Sequence, residues 1–129
     1  SPEFLRRCPI PSIPQAVHKI PGSSLGRFGN RWTLDNGSRR VTIERRPAFT
    51  FSAADLCREF ARAGHGVAML RGALAAPFEK SGRLVRVLPE WAGPKHDLNL
   101  VTGLGQLPAR VRLFAEYMQK HYRTPYSHP

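Results

Sequence analysis

Apolar residues recur along this chain with two different periods, and the periods divide it into elements. In RWTLDNGSRRVTIER, residues 31–45, Trp32 and Leu34 alternate with polar neighbours, and so do Val41 and Ile43. Alternation of period two marks strands with one buried face. Asn36-Gly37 between them is the pair favoured in a type I′ turn, where both positions take positive φ, so a β-hairpin is predicted. In SAADLCREFARAG, residues 52–64, the period becomes helical. Leu56, Phe60 and Ala63 make its apolar stripe, Ser52 is placed as its N-cap, and Asp55 stands where a capping box puts an acid. Gly64 follows as the stop.

Short apolar runs follow. VAML at 67–70, LVRVL at 84–88 and DLNLV at 97–101 predict buried strands, and GALAAPFEK between the first two predicts a short, Pro-interrupted helix. Residues 108–122 place Val111, Phe114, Ala115, Met118 and Tyr122 on one helical face, with Pro108 suited to the first position. Ahead of the hairpin, Pro9, Pro11 and Pro14 exclude a long helix but allow a short turn starting at Pro14. Residues 18–30 are rich in Gly and Ser and read as a loop with room for one short strand. Hairpin, helix, strand, helix, strand, strand, helix is the order of an α/β layer fold with a largely parallel sheet.

A length of 129 residues with 41% hydrophobic and 22% charged content fits one globular domain able to bury a core. No apolar run reaches the roughly 20 residues of a membrane span, and the opening SPEFLRR has no signal-peptide pattern. No membrane contact and a cytoplasmic location are expected. Cys8 and Cys57 are then reduced thiols, with a regulatory pair between them as the alternative.

The net charge of +11 changes the picture more. Such a balance favours polyanions through phosphate neutralisation. Yet Arg supplies 16 of the 20 basic residues, a bias that a GC-rich genome also produces. The arginines come as scattered pairs, Arg6-Arg7, Arg39-Arg40 and Arg45-Arg46, without the interleaved aromatics of a single-strand-binding surface.

Candidate chemistry is sparse. His18, His65, His96, His121 and His128 lack metal-ligand spacing, and no GxSxG is present. GLGQLP at 103–108 lacks the third glycine of a dinucleotide fingerprint, and the nine acids form no apolar-flanked pair. No catalytic residue, metal or cofactor is assigned, and an enzyme is not expected.

One stretch departs from generic α/β. From Phe49 to Trp91 a small polar residue, Ser52, opens a helix, and a glycine doublet, Gly64 and Gly66, ends it. The apolar strand 67–70 follows, and then Gly82, Leu84, Val87, Leu88 and Trp91 in GRLVRVLPEW. This order resembles the effector-binding domain of LysR-type transcriptional regulators. PARVRLFAEYM resembles that family's last helix, and SPEFL its crossover between subdomains, which favours SPEF as native sequence over a tag. Arg71 stands where the family usually has Pro, His65 where Leu is common, and Leu107 in place of a capping Ser or Thr.

The resemblance implies a periplasmic-binding-protein-like α/β regulatory domain. Residues 1–96 would be mainly its second subdomain, and 97–129 the returning strand and C-terminal helix of the first. The winged helix-turn-helix that reads DNA would lie outside this chain. It further implies a small-molecule effector, with a carboxylate as one candidate, in a cleft between subdomains, and a homodimer or tetramer. The matching positions are Thr50, Phe51 and Ser52 before the helix and Met69, Leu70 and Arg71 after the next strand. Ser52 would donate to a carboxylate beside the helix N–H groups. Phe49 or Phe51 would cover an apolar part, whichever strand parity turns to the cleft. Each also has a plain structural role open to it, as core, cap or solvated charge. Two rival readings are a small basic nucleic-acid-binding domain, which predicts salt-sensitive DNA affinity from this chain alone, and a periplasmic solute-binding domain.

Overall fold

The computed structural model describes residues 1–26, 30–95, 99–103 and 105–122, with Tyr122 by its backbone only. The chain forms two compact units, Ser1–Pro94 and Lys95–Pro129.

The first unit opens with helix α1, Pro2–Arg7, in the stretch that resembles the family's crossover. Ser1 Oγ caps it by accepting from Phe4 N at 3.4 Å, and Pro2 supplies a ready helical φ. The spaced prolines then end in a 3₁₀ turn, Pro14–Lys19, as their spacing predicts. Strand β1, Gly22–Leu25, follows in the stretch read as a loop with room for one short strand. It is the centre of a three-stranded parallel sheet, between β4, Phe49–Phe51, and β5, Val67–Ala68. GSSL was not legible as a central strand because it carries almost no apolar signal. It is nonetheless buried, Ser23 to 1% exposure. Small side chains are required here: a Cβ at Gly22 would overlap Arg45 Nη2 and stand 2.7 Å from the Val67 carbonyl oxygen.

The predicted hairpin forms from β2, Arg31–Asp35, and β3, Arg40–Glu44, with Trp32 opposite Ile43 and Leu34 opposite Val41. Its loop has four residues rather than two, and only Gly37 takes positive φ (+88°). Side-chain acceptors make the difference. Asn36 Oδ1 accepts from Ser38 N and Arg39 N at 3.1 and 2.8 Å, and Asp35 Oδ1 accepts from Gly37 N at 2.7 Å. The hairpin is a sheet of its own, and Trp32, Leu34 and Ile43 enclose one core with Phe4, Val17, Ile20, Val67 and Leu88.

Helix α2, Ala54–Arg62, connects β4 to β5 and packs on β1 and β5. Its buried residues are Cys57, Phe60 and Ala61, whereas Leu56 is 49% exposed. The expected stripe of Leu56, Phe60 and Ala63 is therefore corrected by about 100° of helix rotation. The small Cys57 and Ala61 allow the helix to lie close over the small residues of β1. The capping expectation is also corrected: Ala53 is the N-cap, no side chain caps the helix, and Asp55 pairs with Arg58 at 2.7 Å. Arg58 and Arg62 both hydrogen-bond Glu59, at 3.1 and 2.6 Å. Gly64 ends the helix with φ +79°, as predicted.

Helix α3, Gly72–Lys80, carries Pro77 inside it. After it, the predicted strand 84–88 does not form. Arg83 N and Leu84 N both donate to the Phe78 carbonyl, which wraps the chain back on α3. Leu84 and Leu88 are buried and Val85 is exposed, but the segment pairs with no strand among the described residues. It ends in a turn from Leu88 to Trp91, and Ala92 bridges to Asp35 of β2. Both cysteines are free thiols.

In the second unit, residues 99–101 form no strand, and 97–98 lie outside the described residues. Helix α4, Ala109–Tyr122, matches the predicted span, and the Pro108 carbonyl accepts from Val111 N and Arg112 N. Val111, Ala115 and Met118 are half-buried, but Phe114, assigned to the same face, is exposed. No described helix is long and apolar enough to cross a membrane.

Two outcomes test this packing. Gly66 has φ +151°, and a Cβ there would overlap the Pro21 carbonyl oxygen, the acceptor for Val67 N. Gly66→Ala should cost about 3 kcal/mol or more in urea unfolding, whereas Gly37→Ala, with open space around it, should cost about 1 kcal/mol. The Glu59 carboxyl is held below its usual range by hydrogen bonds from Arg62 and Arg58. A depressed acid stabilises the folded state above its unfolded pKa and loses that contribution as pH falls through the folded value. Glu59→Gln should therefore be slightly less stable than the parent at neutral pH, with the difference vanishing in acid below the ordinary glutamate range. The ion pair is half-exposed, so the difference will be small.

Candidate functional site

Parallel strands deliver their C-terminal ends to one edge of a sheet. Here β4, β1 and β5 end there at Phe51, Leu25 and Ala68, with Leu25 paired to Phe51. Helix α2 begins directly after β4 and α3 directly after β5, so both helix starts lie at this edge. Neither is capped by a side chain: Ala53 and Arg71 hold the N-cap positions without a side-chain hydrogen bond. The first-turn N–H groups carry the positive end of each helix dipole.

The sequence-derived residues fall at this edge, with different orientations. Phe51 stacks on Phe49, ring centroids 6.1 Å apart, and both rings pack on Phe60 of α2. Strand parity therefore turns both phenylalanines to the α2 side of the sheet and Thr50 to the other. Thr50 and Ser52 are exposed, and Ser52 makes no hydrogen bond through its side chain among the described residues. Gly26, which sequence reasoning missed, sits beside them: a Cβ there would stand 3.6 Å from Thr50 Cγ2 and 3.7 Å from the Phe51 carbonyl oxygen. Across β1, Met69 packs on the core and approaches Gly93, where a Cβ would stand 3.1 Å from its Sδ. Leu70 is half-buried, and Arg71 is exposed without an ion-pair partner among the described residues.

Two concavities lie elsewhere. One, of about 400 Å³, is lined by Phe4, Arg7, Cys8, Pro21, Gly64 and His65. The other, of about 650 Å³, is lined by His18, Asn30, Arg31, Glu44, Arg45 and Arg46. Arg45 was read in the sequence only as half of a scattered basic pair. Its real signal was the alternation Val41, Ile43, Arg45, which puts it on the inward face of the hairpin. Burial pushes its guanidinium down to about 10. Among the described residues no group of three or more His, Cys, Asp or Glu is placed to hold a metal.

A parallel sheet with helices starting at its C-terminal edge is the framework of α/β ligand-binding domains. The particular class is that of periplasmic-binding-protein-like regulatory domains, and the chain belongs to the LysR substrate binding domain family, whose model matches residues 22–123. A transcriptional regulator of the helix-turn-helix type from Xanthomonas campestris is 30% identical over 92% of this chain and 36% of its own length. The regulator PtxR of Pseudomonas aeruginosa is 31% identical over 70% of the chain and 29% of its own length. The chain thus spans about a third of the curated relatives it matches. Among solved structures, the regulatory domain of AphB from Vibrio vulnificus superposes with a TM-score of 0.74 at 26% identity, over 94% of this chain and 61% of that one. Full-length AphB of Vibrio cholerae, a member of the LTTR family, shares the fold with a TM-score of 0.77 at 24% identity, over 95% of this chain and 43% of that one.

Because Ser52 does not cap α2, Ser52→Ala should leave stability within about 0.5 kcal/mol in thermal unfolding. A capping serine would cost about 1 kcal/mol.

Proposed function

We propose that this chain is the effector-sensing part of a LysR-type bacterial transcription factor. The observation that carries the reading is the convergence of three strand ends and two helix starts without side-chain caps on one edge of the sheet. A small carboxylate suits that edge, because helix N–H groups and hydroxyls donate to anions. Thr50 and Ser52 supply hydroxyls, and Arg71 supplies a charge at the start of α3. Met69 and Leu70 border the polar groups with apolar surface, and Phe51 acts by holding β4 against α2. In this reading residues 1–96 correspond to the second subdomain, and residues 97–129 to the returning part of the first. The effector favours one arrangement of a homodimer or tetramer by its differential affinity for the two states, and DNA is read by a helix-turn-helix outside this chain. The relatives are regulators, which supports a sensing role over catalysis, in the cytoplasm where such regulators meet DNA.

Titration calorimetry with a panel of small carboxylates, benzoate and succinate among them, tests the reading. One member should bind saturably, and Thr50→Val and Ser52→Ala should each weaken it about tenfold, the worth of a lost hydrogen bond to a charge. In a gel-shift assay at about 0.15 M salt, the chain alone should not retain duplex DNA. Tight, salt-sensitive retention would support the nucleic-acid-binding reading instead.

A further inference from the structure

The buried Arg45 has a role that the strand-end site does not absorb. Arg45 is only 4% exposed, yet among the described residues no carboxylate pairs with it. Nη2 donates to the Ile20 carbonyl at 2.7 Å, and Cζ lies 4.1 Å from the centroid of the Trp32 ring. Nε and Nη1 are buried without a hydrogen-bond partner among the described residues. Leaving donors of a charged group unpaired is costly, and buried cations are normally matched by an anion.

The neighbourhood has the matching charge pattern. Arg45 lines the 650 Å³ concavity together with Arg31, Arg46, His18, Asn30 and Glu44. Three guanidinium groups thus face one carboxylate. Arg31 and Glu44 are directly opposite in the hairpin, yet neither they nor Arg46 form an ion pair among the described residues. His18 donates through Nδ1 to the Gln15 carbonyl, which orients its ring. The site lies near the N-terminal end of β1, because Ile20 stands two residues before that strand begins. The strand-end edge described above is at the other end of the same strand.

We infer that this concavity is a second ligand site, for a small oxyanion of the carboxylate or phosphate type. The anion sits between the Arg31 and Arg46 side chains, and a small shift of Arg45 turns one of its free donors, Nε or Nη1, to an oxygen. Donors converging from three guanidinium groups suit a group with several oxygens, so an oxyanion fits where a spherical halide leaves donors unused. Trp32 holds the guanidinium plane from one side and so limits the approach of the anion.

Thermal unfolding of the chain in inorganic phosphate, and separately in acetate, tests the inference, with ionic strength held constant by sodium chloride. At least one oxyanion should stabilise saturably, and which one does so assigns the class. Arg31→Gln with Arg46→Gln should raise the half-saturating concentration about tenfold or more, with the unfolding temperature in chloride unchanged. Arg45→Met should abolish the part of the response that the rim variant weakens and, by removing unpaired donors from a buried position, keep or raise the stability in chloride. If Arg45→Met fails to fold, the rim variant decides alone. Ser52→Ala should leave that part intact, which separates this site from the strand-end one. No saturable effect beyond chloride, an equal response in the rim variant, or loss in Ser52→Ala would each overturn the inference. So would duplex DNA retention that depends on Arg31 and Arg46 without any phosphate or acetate response.

Discussion

Parallel pairing of β1 on both of its sides is the constraint from which the first unit follows. Ser23, Ser24 and Leu25 pair with Phe49, Thr50 and Phe51, while Gly22 and Ser23 pair with Val67 and Ala68. A strand flanked on both edges and covered by a helix has little room for side chains, and Gly22-Ser23-Ser24 needs little. Cys57 and Ala61 give α2 the matching small face, and Phe60 reaches past it to the Phe49 and Phe51 rings. Once β4 and β5 are both parallel to β1, their helices must begin at the same edge. The candidate site is thus a consequence of strand direction as much as of the residues that line it.

The two ends of β1 meet different surroundings. At its C-terminal end lie hydroxyls, backbone N–H groups and one exposed arginine. Near its N-terminal end lies the junction with the hairpin, where Arg45 is inserted between Ile20 and Trp32 and fits against Gly22 only because no side chain stands there. Val41 and Ile43 on the same face are ordinary core residues, so a cation next in that series breaks the apolar pattern at one defined point. Trp32 serves both, as core residue and as the face on which the cation rests.

Part of the arginine content serves the fold, although the net charge of +11 remains after every acid is matched. Arg40 pairs with Asp35, Arg58 with Asp55 and Glu59, Arg62 with Glu59, and Arg86 with Glu79. Arg58 also lies over the Phe78 ring of α3, so its aliphatic stem and planar head tie two helices together. Arg40 thus ties β3 to β2 and Arg86 ties its segment to α3, whereas the ion pairs of Arg58 and Arg62 lie within α2. In GRLVRVLPEW the pair with Glu79 fixes Arg86 to α3, and Leu84 and Leu88 turn inward from a wrapped segment, not from a sheet.

The sequence alone determined those elements whose signal is local. The hairpin follows from period-two alternation, α2 and α4 from helical period, the turn at Pro14 from a fixed φ, and the end of α2 from Gly64. The order of small polar residue, glycine doublet and GRLVRVLPEW also carried the family likeness, and with it the positions at the sheet edge. Tertiary structure decided what periodicity cannot express. Leu56 and Cys57 are adjacent on the helix, and only the narrow surface of β1 selects the smaller one for burial. GSSL is a central strand because β4, β5 and α2 close around it, and residues 84–88 are not a strand because Phe78 captures their backbone first. Ser52 has the chemistry of a cap but stands one residue too early. Arg45 looked like surface charge until its neighbours enclosed it. A local pattern states which residues share a face. Which face is covered, and by what, depends on contacts between elements far apart in the chain.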